Sequence, residues 1–272
     1  MIGCLIGDIA GSSREFKNIS NRDFEIFERK STYTDDSILS IATADVLIDG
    51  VKASYGNYYL DYAKSFPNRG WGGSFEKMIK SGTLVPYNSY GNGAAMRVGP
   101  VGWVFDNIED TLEEAEKSAK CSHNHSEGIK GAQAVALSTY LARTGKSKEE
   151  IKKHVESLGY DLSNPLSSFG RKFDETCQGT IPKCMAIFFE TNDFEDAIRT
   201  SIASGGDVDT IACIVGGISH AYYGMPDRKM VEEVYKRLSN HLAKITTTFT
   251  KKYVDKNFIA PTVIATDGAA NL

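Results

Sequence analysis

"GGDVDT" (residues 205–210) runs directly into "IACIVGGISHAYYG" (residues 211–224), the most apolar segment of this 272-residue chain. Carrying two carboxylates to the edge of an apolar core is costly unless a partner neutralises them. The apolar run predicts a buried helix opened by the GGDVDT turn. His220 and three glycines interrupt it, so it does not read as a membrane span.

Outward from this stretch the periodicity is helical nearly throughout. "DDSILSIATADVLI" (35–48) has apolar residues at helical spacing. "EDTLEEAEKSAK" (109–120) places acids early and lysines late, in accord with the helix macrodipole. Residues 128–143 form an Ala-rich helix ending at Thr144-Gly145. Ser147 and Glu150 have capping-box spacing in a helix that closes at Gly159. Asp193 caps a helix over 193–203, and residues 229–245 read as one amphipathic helix with basic residues outside. The best strand candidate is "TTTFTKKYV" (246–254). The expectation is an all-α, single compact multi-helix domain over residues 1–265, with ten or more short helices and a frayed tail at 266–272.

Composition narrows the function. With 31 basic and 35 acidic residues the net charge is −4, and no Lys/Arg run makes a nucleic-acid footprint. The apolar start "MIGCLIGDIAGSSREF" has no basic flank and carries Asp8, so it does not read as a signal peptide. The five cysteines lack zinc-ligand spacing and read as reduced, mostly buried thiols of a cytoplasmic protein.

The chemistry lies in the acids. Asp8 with Glu15, the triplet Thr34-Asp35-Asp36, and Asp207 with Asp209-Thr210 each stand beside a helix start or an apolar run. Helix capping accounts for one acid per helix, at about 0.3–1 kcal/mol. It does not account for two close acids twice over. Asp and Thr oxygens without His or Cys suit Mg2+, Mn2+ or Ca2+, and two such clusters suggest a two-metal site. Separate capping motifs on unrelated helices remain the alternative. "GNG" (91–93) is either a plain turn or a phosphate cradle assisted by Arg97. His123 and His125 are either phosphate or ribose contacts or loop and capping residues. Tyr87, Tyr90, Phe169 and Phe173 read as core aromatics, with adenine stacking as the other possibility.

"GDIAGSSRE" (7–15), "TDDS" (34–37), "GNGAAMR" (91–97), "SHNHSEG" (122–128) and "GGDVDTIACIVGGISHAYYG" (205–224) together resemble, in order, the motifs of the ADP-ribosylglycohydrolase family. That family includes dinitrogenase reductase-activating glycohydrolases and ADP-ribosylarginine and ADP-ribosylserine hydrolases, and "TCQGTIPKCMAIFFE" (176–190) is similar to its bacterial branch. The resemblance implies packed helices around two Mg2+ ions, with Mn2+ as a possible substitute. Thr34, Asp35, Asp36, Asp207, Asp209 and Thr210 would be the metal ligands, with Asp209 bridging the ions. It also implies Glu15 as first choice for proton transfer, with Asp207 second. Gly91, Asn92, Gly93 and Met96 would line an ADP-ribose cleft, with His123 near the diphosphate and ribose. Val208 and Ser126 depart from the family's usual residues but are not expected ligands.

The implied reaction is metal-dependent hydrolysis of the glycosidic bond between ADP-ribose and an acceptor, on a protein side chain such as arginine or serine or in a small conjugate. A two-metal phosphoesterase or nucleotide-sugar hydrolase is the rival enzyme. A non-catalytic ADP-ribose-binding protein is the rival outside catalysis.

Overall fold

The computed structural model describes residues 1–17, 19–50 and 54–262. The tail expected to fray, 266–272, lies outside these. Among the described residues the chain forms α1 (Ile2–Ser12), α2 (Asp35–Asp49), α3 (Tyr55–Ser65), α4 (Gly73–Ser81), α5 (Gly93–Arg97), α6 (Ile108–Lys120) and α7 (Ser126–Arg143). It continues with α8 (Lys148–Ser157), α9 (Cys177–Glu190), α10 (Phe194–Ala203), α11 (Val208–Tyr223), α12 (Arg228–Arg237) and α13 (Asn240–Phe249). No strand occurs among them; an isolated bridge pairs Gly91 with Thr176.

Most helices begin where a short polar side chain can satisfy a free amide. Thr34, Asn107, Ser147, Thr176, Asp193 and Ser239 each accept an N–H from the first turn of the helix that follows. Ser147 and Glu150 complete the capping box that their spacing predicts.

At the centre α1 packs along α11. Both are apolar around their whole circumference and buried along nearly their full length, as that pattern requires. Their close approach is a matter of register. Gly3, Gly7 and Gly11 recur every four residues and so share one face of α1. A Cβ on Gly3 would lie 2.1 Å from the Gly216 carbonyl oxygen, one on Gly7 would lie 1.9 Å from that of Ala212, and one on Gly11 would lie 2.4 Å from the Asp209 Cα. The stripe therefore draws the C-terminal half of α1, with Asp8, onto the first turn of α11, with Asp209. The other helices, including α2, α7, α9 and α10, pack around this pair.

The chain ends differ from expectation. "TTTFTKKYV" is helix and π-turn (Thr250–Val254), not strand. Thr246, Thr247, Thr248 and Thr250 each donate their hydroxyl to the carbonyl four residues back, so the polar side chains that suggested alternation are satisfied inside the helix. Residues 229–245 are two helices, because Leu238 turns extended and Ser239 caps α13 through the Leu242 amide. Gly224 ends α11 at φ +93°, with nothing within 4 Å of where a Cβ would lie.

Candidate functional site

Three chain segments bring their acids to one place: the end of α1 and the turn after it, the start of α2, and the start of α11. Capping does not explain these acids. The cap of α2 is the Thr34 hydroxyl, which accepts the Asp36 amide at 3.3 Å. Asp207 stands at the N-cap of α11, yet its side chain makes no capping bond and instead accepts Asn92 Nδ2 at 2.7 Å.

Oxygens of Asp8, Asp36 and Asp209 lie within 4.8 Å of one another, and so do those of Glu15, Asp207 and Asp209. Asp209 belongs to both groups. The two clusters read from sequence thus converge, separated by 171 positions between Asp36 and Asp207. Asp36, Asp207 and Asp209 are buried, at 2%, 6% and 4% exposure. Burial, followed by the neighbouring carboxylates, raises the pKa of Asp35, Asp36 and Asp209 well above the ordinary carboxylate range. Burial also raises that of Asp207, against the opposing bond from Asn92. Glu15, half-buried in the turn after α1, is pushed up to about 7 by burial, then by Asp207 and Asp8. Asp36 Oδ1 is buried and has no hydrogen-bond partner. Crowded carboxylates with an orphaned oxygen fit a hard divalent cation: they hold protons without one and become ligands with one.

Asp8, noted in the sequence but given no role there, belongs to the cluster and also braces the start of α2. It accepts the Thr34 amide at 2.9 Å, the Thr34 hydroxyl at 2.6 Å and the Ser37 amide at 3.1 Å. With its proton donated to Asp8 and one lone pair taken by the Asp36 amide, the Thr34 hydroxyl keeps one lone pair for the cavity. Thr210 likewise donates its hydroxyl to Asp36 Oδ2 at 3.3 Å.

The GGD turn is held from beneath. Gly205 and Gly206 adopt φ of +71° and +89°, a region that glycine enters without strain. Lys183, buried on α9, donates Nζ to the carbonyls of Gly170, Ser204 and Gly205 at 3.1, 3.2 and 2.6 Å. This residue was missed in the sequence. Its signal is a lone lysine within the apolar "TIPKCMAIFFE".

A cavity of about 520 Å3 opens over the acids, lined by Glu15, Asp35, Asp36, Asp207 and Asp209 on one side and by Gly91–Gly93, Met96 and His123 on the other. The sequence-predicted residues are thus neighbours, but some have other tasks. The Asn92 amide donates to the Glu175 carbonyl at 2.6 Å and the Gly91 amide to Ser89 Oγ at 3.1 Å, so two amides of the expected phosphate cradle are engaged. Arg97, expected to assist a phosphate, is 1% exposed. Its guanidinium donates to the Ser118 carbonyl and Ser122 Oγ and lies 4.1 Å over the Tyr59 ring. It fixes Ser122, whose Oγ is 2.7 Å from His123 Nδ1. Burial, then Arg97, holds His123 well below the ordinary imidazole pKa, so the ring is neutral. A Cβ on Gly93 would lie 3.0 Å from His123 Nε2, which is why the ring can approach that loop. His125 is a cap, accepting the Glu127 amide. Tyr90 and Phe173 are half-exposed and not core residues, and Tyr87 and Phe173 line the cavity. All five cysteines are free, four buried and Cys121 partly so. No helix among the described residues is long and apolar enough to cross a membrane.

The family model described as ADP-ribosylglycohydrolase matches residues 1–255. The chain is 27% identical to ADP-ribosylhydrolase ARH3 of Homo sapiens over 260 residues, covering 71% of each protein. It is 23% identical to ADP-ribosylarginine hydrolase Tri1 of Pseudomonas putida over 288 residues, covering 90% of this chain and 75% of that one. A solved structure described as an ADP-ribosylglycohydrolase-related protein complex aligns with a TM-score of 0.71 at 19% identity, covering 91% of this chain and 93% of the other. That likeness is one of fold.

Proposed function

The chain belongs to the ADP-ribosylglycohydrolase family, and from that premise we propose that it is a divalent-metal-dependent hydrolase that cleaves the glycosidic bond between ADP-ribose and an acceptor. The observation that carries this reading is the sharing of Asp209 between two carboxylate groups, each with oxygens within 4.8 Å of one another. We assign Thr34, Asp35, Asp36, Asp207, Asp209 and Thr210 to hold two Mg2+ ions, which Mn2+ can replace. When bound, the ions supply positive charge that neutralises the acids and polarises the ribose hydroxyls.

Each remaining role belongs to the chain. Glu15 sits at the cavity wall beside Asp207 and Asp209, and burial, the largest cause of its raised pKa, acts with or without the ions. It is the group assigned to proton transfer at water or the leaving atom. Asp207 is second choice, and the Asn92 bond fixes its carboxylate in orientation. Neutral His123 offers Nε2 as a donor or acceptor beside Gly91–Gly93, as contact to the diphosphate and ribose needs. Met96 adds an apolar wall.

The test is a panel of arginine-linked and serine-linked ADP-ribosyl substrates incubated with Mg2+ or with EDTA. Release of free ADP-ribose that chelation abolishes is the expected result. AMP or inorganic phosphate as product points to attack on phosphate. ADP-ribose binding without turnover of any substrate identifies a binding protein.

A further inference from the structure

Phe16 directly follows Glu15 in the chain and is 83% exposed; Phe173, which lines the cavity, is 50% exposed. Their rings stack at a centroid distance of 6.2 Å and an interplanar angle of 25°. Burial does not hold them there. Arg171, two residues before Phe173, donates to the Ile19 carbonyl at 2.6 Å and the Ala203 carbonyl at 2.5 Å, which ties the Phe173 segment to the loop beyond Phe16. On the other side Arg14 donates to the Ala10 and Ile26 carbonyls and pairs with Glu28 at 3.0 Å. The turn carrying Glu15 and Phe16 is therefore anchored at both ends, and two large apolar rings are presented to water beside the proton-transfer carboxylate. Paired exposed aromatics at a cavity mouth mark a contact surface.

We propose that Phe16 and Phe173 form an acceptor-side platform that selects a planar cationic leaving group, the guanidinium of an arginine-linked substrate. The inference rests on the glycosidic reading above, in which Glu15 is assigned to proton transfer at the departing acceptor. A guanidinium is flat, delocalised and weakly hydrated, so it stacks on ring faces; Glu175 along the same cavity adds opposite charge. A serine hydroxyl offers neither the plane nor the charge.

The experiment compares wild type with Phe16→Ala, Phe173→Ala and the double variant on three substrates: an arginine-linked ADP-ribosyl peptide, ADP-ribosyl-agmatine and a serine-linked ADP-ribosyl peptide. The ratio of kcat/KM on each guanidinium substrate to that on the serine-linked one should fall about fivefold per ring removed, mainly through KM. Metal content and Tm should stay unchanged, and Phe16→Trp should retain the ratio. Equal losses on all three substrates overturn the platform, as does a loss confined to the two peptides. Wild type that turns over only the serine-linked peptide overturns the platform and leaves the glycosidic reading standing. Wild type that turns over none of the three, with Mg2+ present, overturns both.

Discussion

The two ends of the α1–α11 pair are packed alike and differ in their polar content. At the Gly3–Gly216 end, buried His220 accepts the Gly3 amide at 3.2 Å, and burial holds its pKa well below the ordinary range. A neutral ring with a backbone donor is satisfied within the fold. At the Gly11–Asp209 end, the carboxylates of Asp8, Asp36, Asp207 and Asp209 crowd together with Glu15 close by, and Asp36 Oδ1 has no partner. The same helix pairing holds an imidazole and hydroxyls at one end, where buried Ser219 Oγ is also without a partner, and a crowd of carboxylates at the other. On the reading proposed above, function belongs to the carboxylate end, because crowded buried acids call for positive charge and an unpartnered hydroxyl does not.

The largest expected effect removes the residue common to both carboxylate groups. Asp209→Ala should lower turnover by about 10^4-fold, the rate equivalent of several kcal/mol of metal-dependent stabilisation, and lower the bound Mg2+ measured by equilibrium dialysis. Glu15→Gln should keep the metal and lose about 10^2- to 10^3-fold in kcat, as expected for loss of a proton-transfer group. Unchanged kcat would move that role elsewhere. Midway along the pair the effect is on stability. Gly7→Ala inserts a methyl 1.9 Å from the Ala212 carbonyl oxygen and should cost about 3 kcal/mol in denaturant unfolding. Wild-type stability in that variant would mean the two helices are not pressed together as described. The smallest effect is indirect. Asp8→Asn leaves the proposed ligands in place but weakens the acceptor that orients Thr34, and should reduce Mg2+ affinity about 10- to 100-fold in a titration.

How far the sequence discloses this site depends on whether a residue's partners are local. TDD and GGDVDT are short, and their chemistry is unusual enough that a joint cation site can be read from them. Asp8 is as acidic as the others. Its role as the acceptor behind Thr34 depends on the register between α1 and α2, which no short stretch encodes. The Gly3–Gly7–Gly11 stripe is visible at four-residue spacing, but its meaning needs the facing backbone of α11. Arg97 illustrates the opposite error. Beside a Gly loop it reads as a free cation for phosphate, whereas Ser118 and Ser122, at the far end of α6, consume it. The threonine run at 246–250 misleads because a hydroxyl bonded to the carbonyl four residues back is hidden in a pattern of letters.

The central claim is that cations make this crowding of negative charge tolerable, and melting as a function of pH tests it most directly. Asp35, Asp36 and Asp209 are raised in the folded state, so above the unfolded value of about 4 the folded protein binds more protons than the unfolded chain. Metal-free protein should therefore lose stability as pH rises from about 4 toward 8. Saturating Mg2+ should raise Tm by an increment that grows over the same range, and Asp209→Asn should flatten both trends. A Tm that Mg2+ leaves unchanged at every pH would contradict the account.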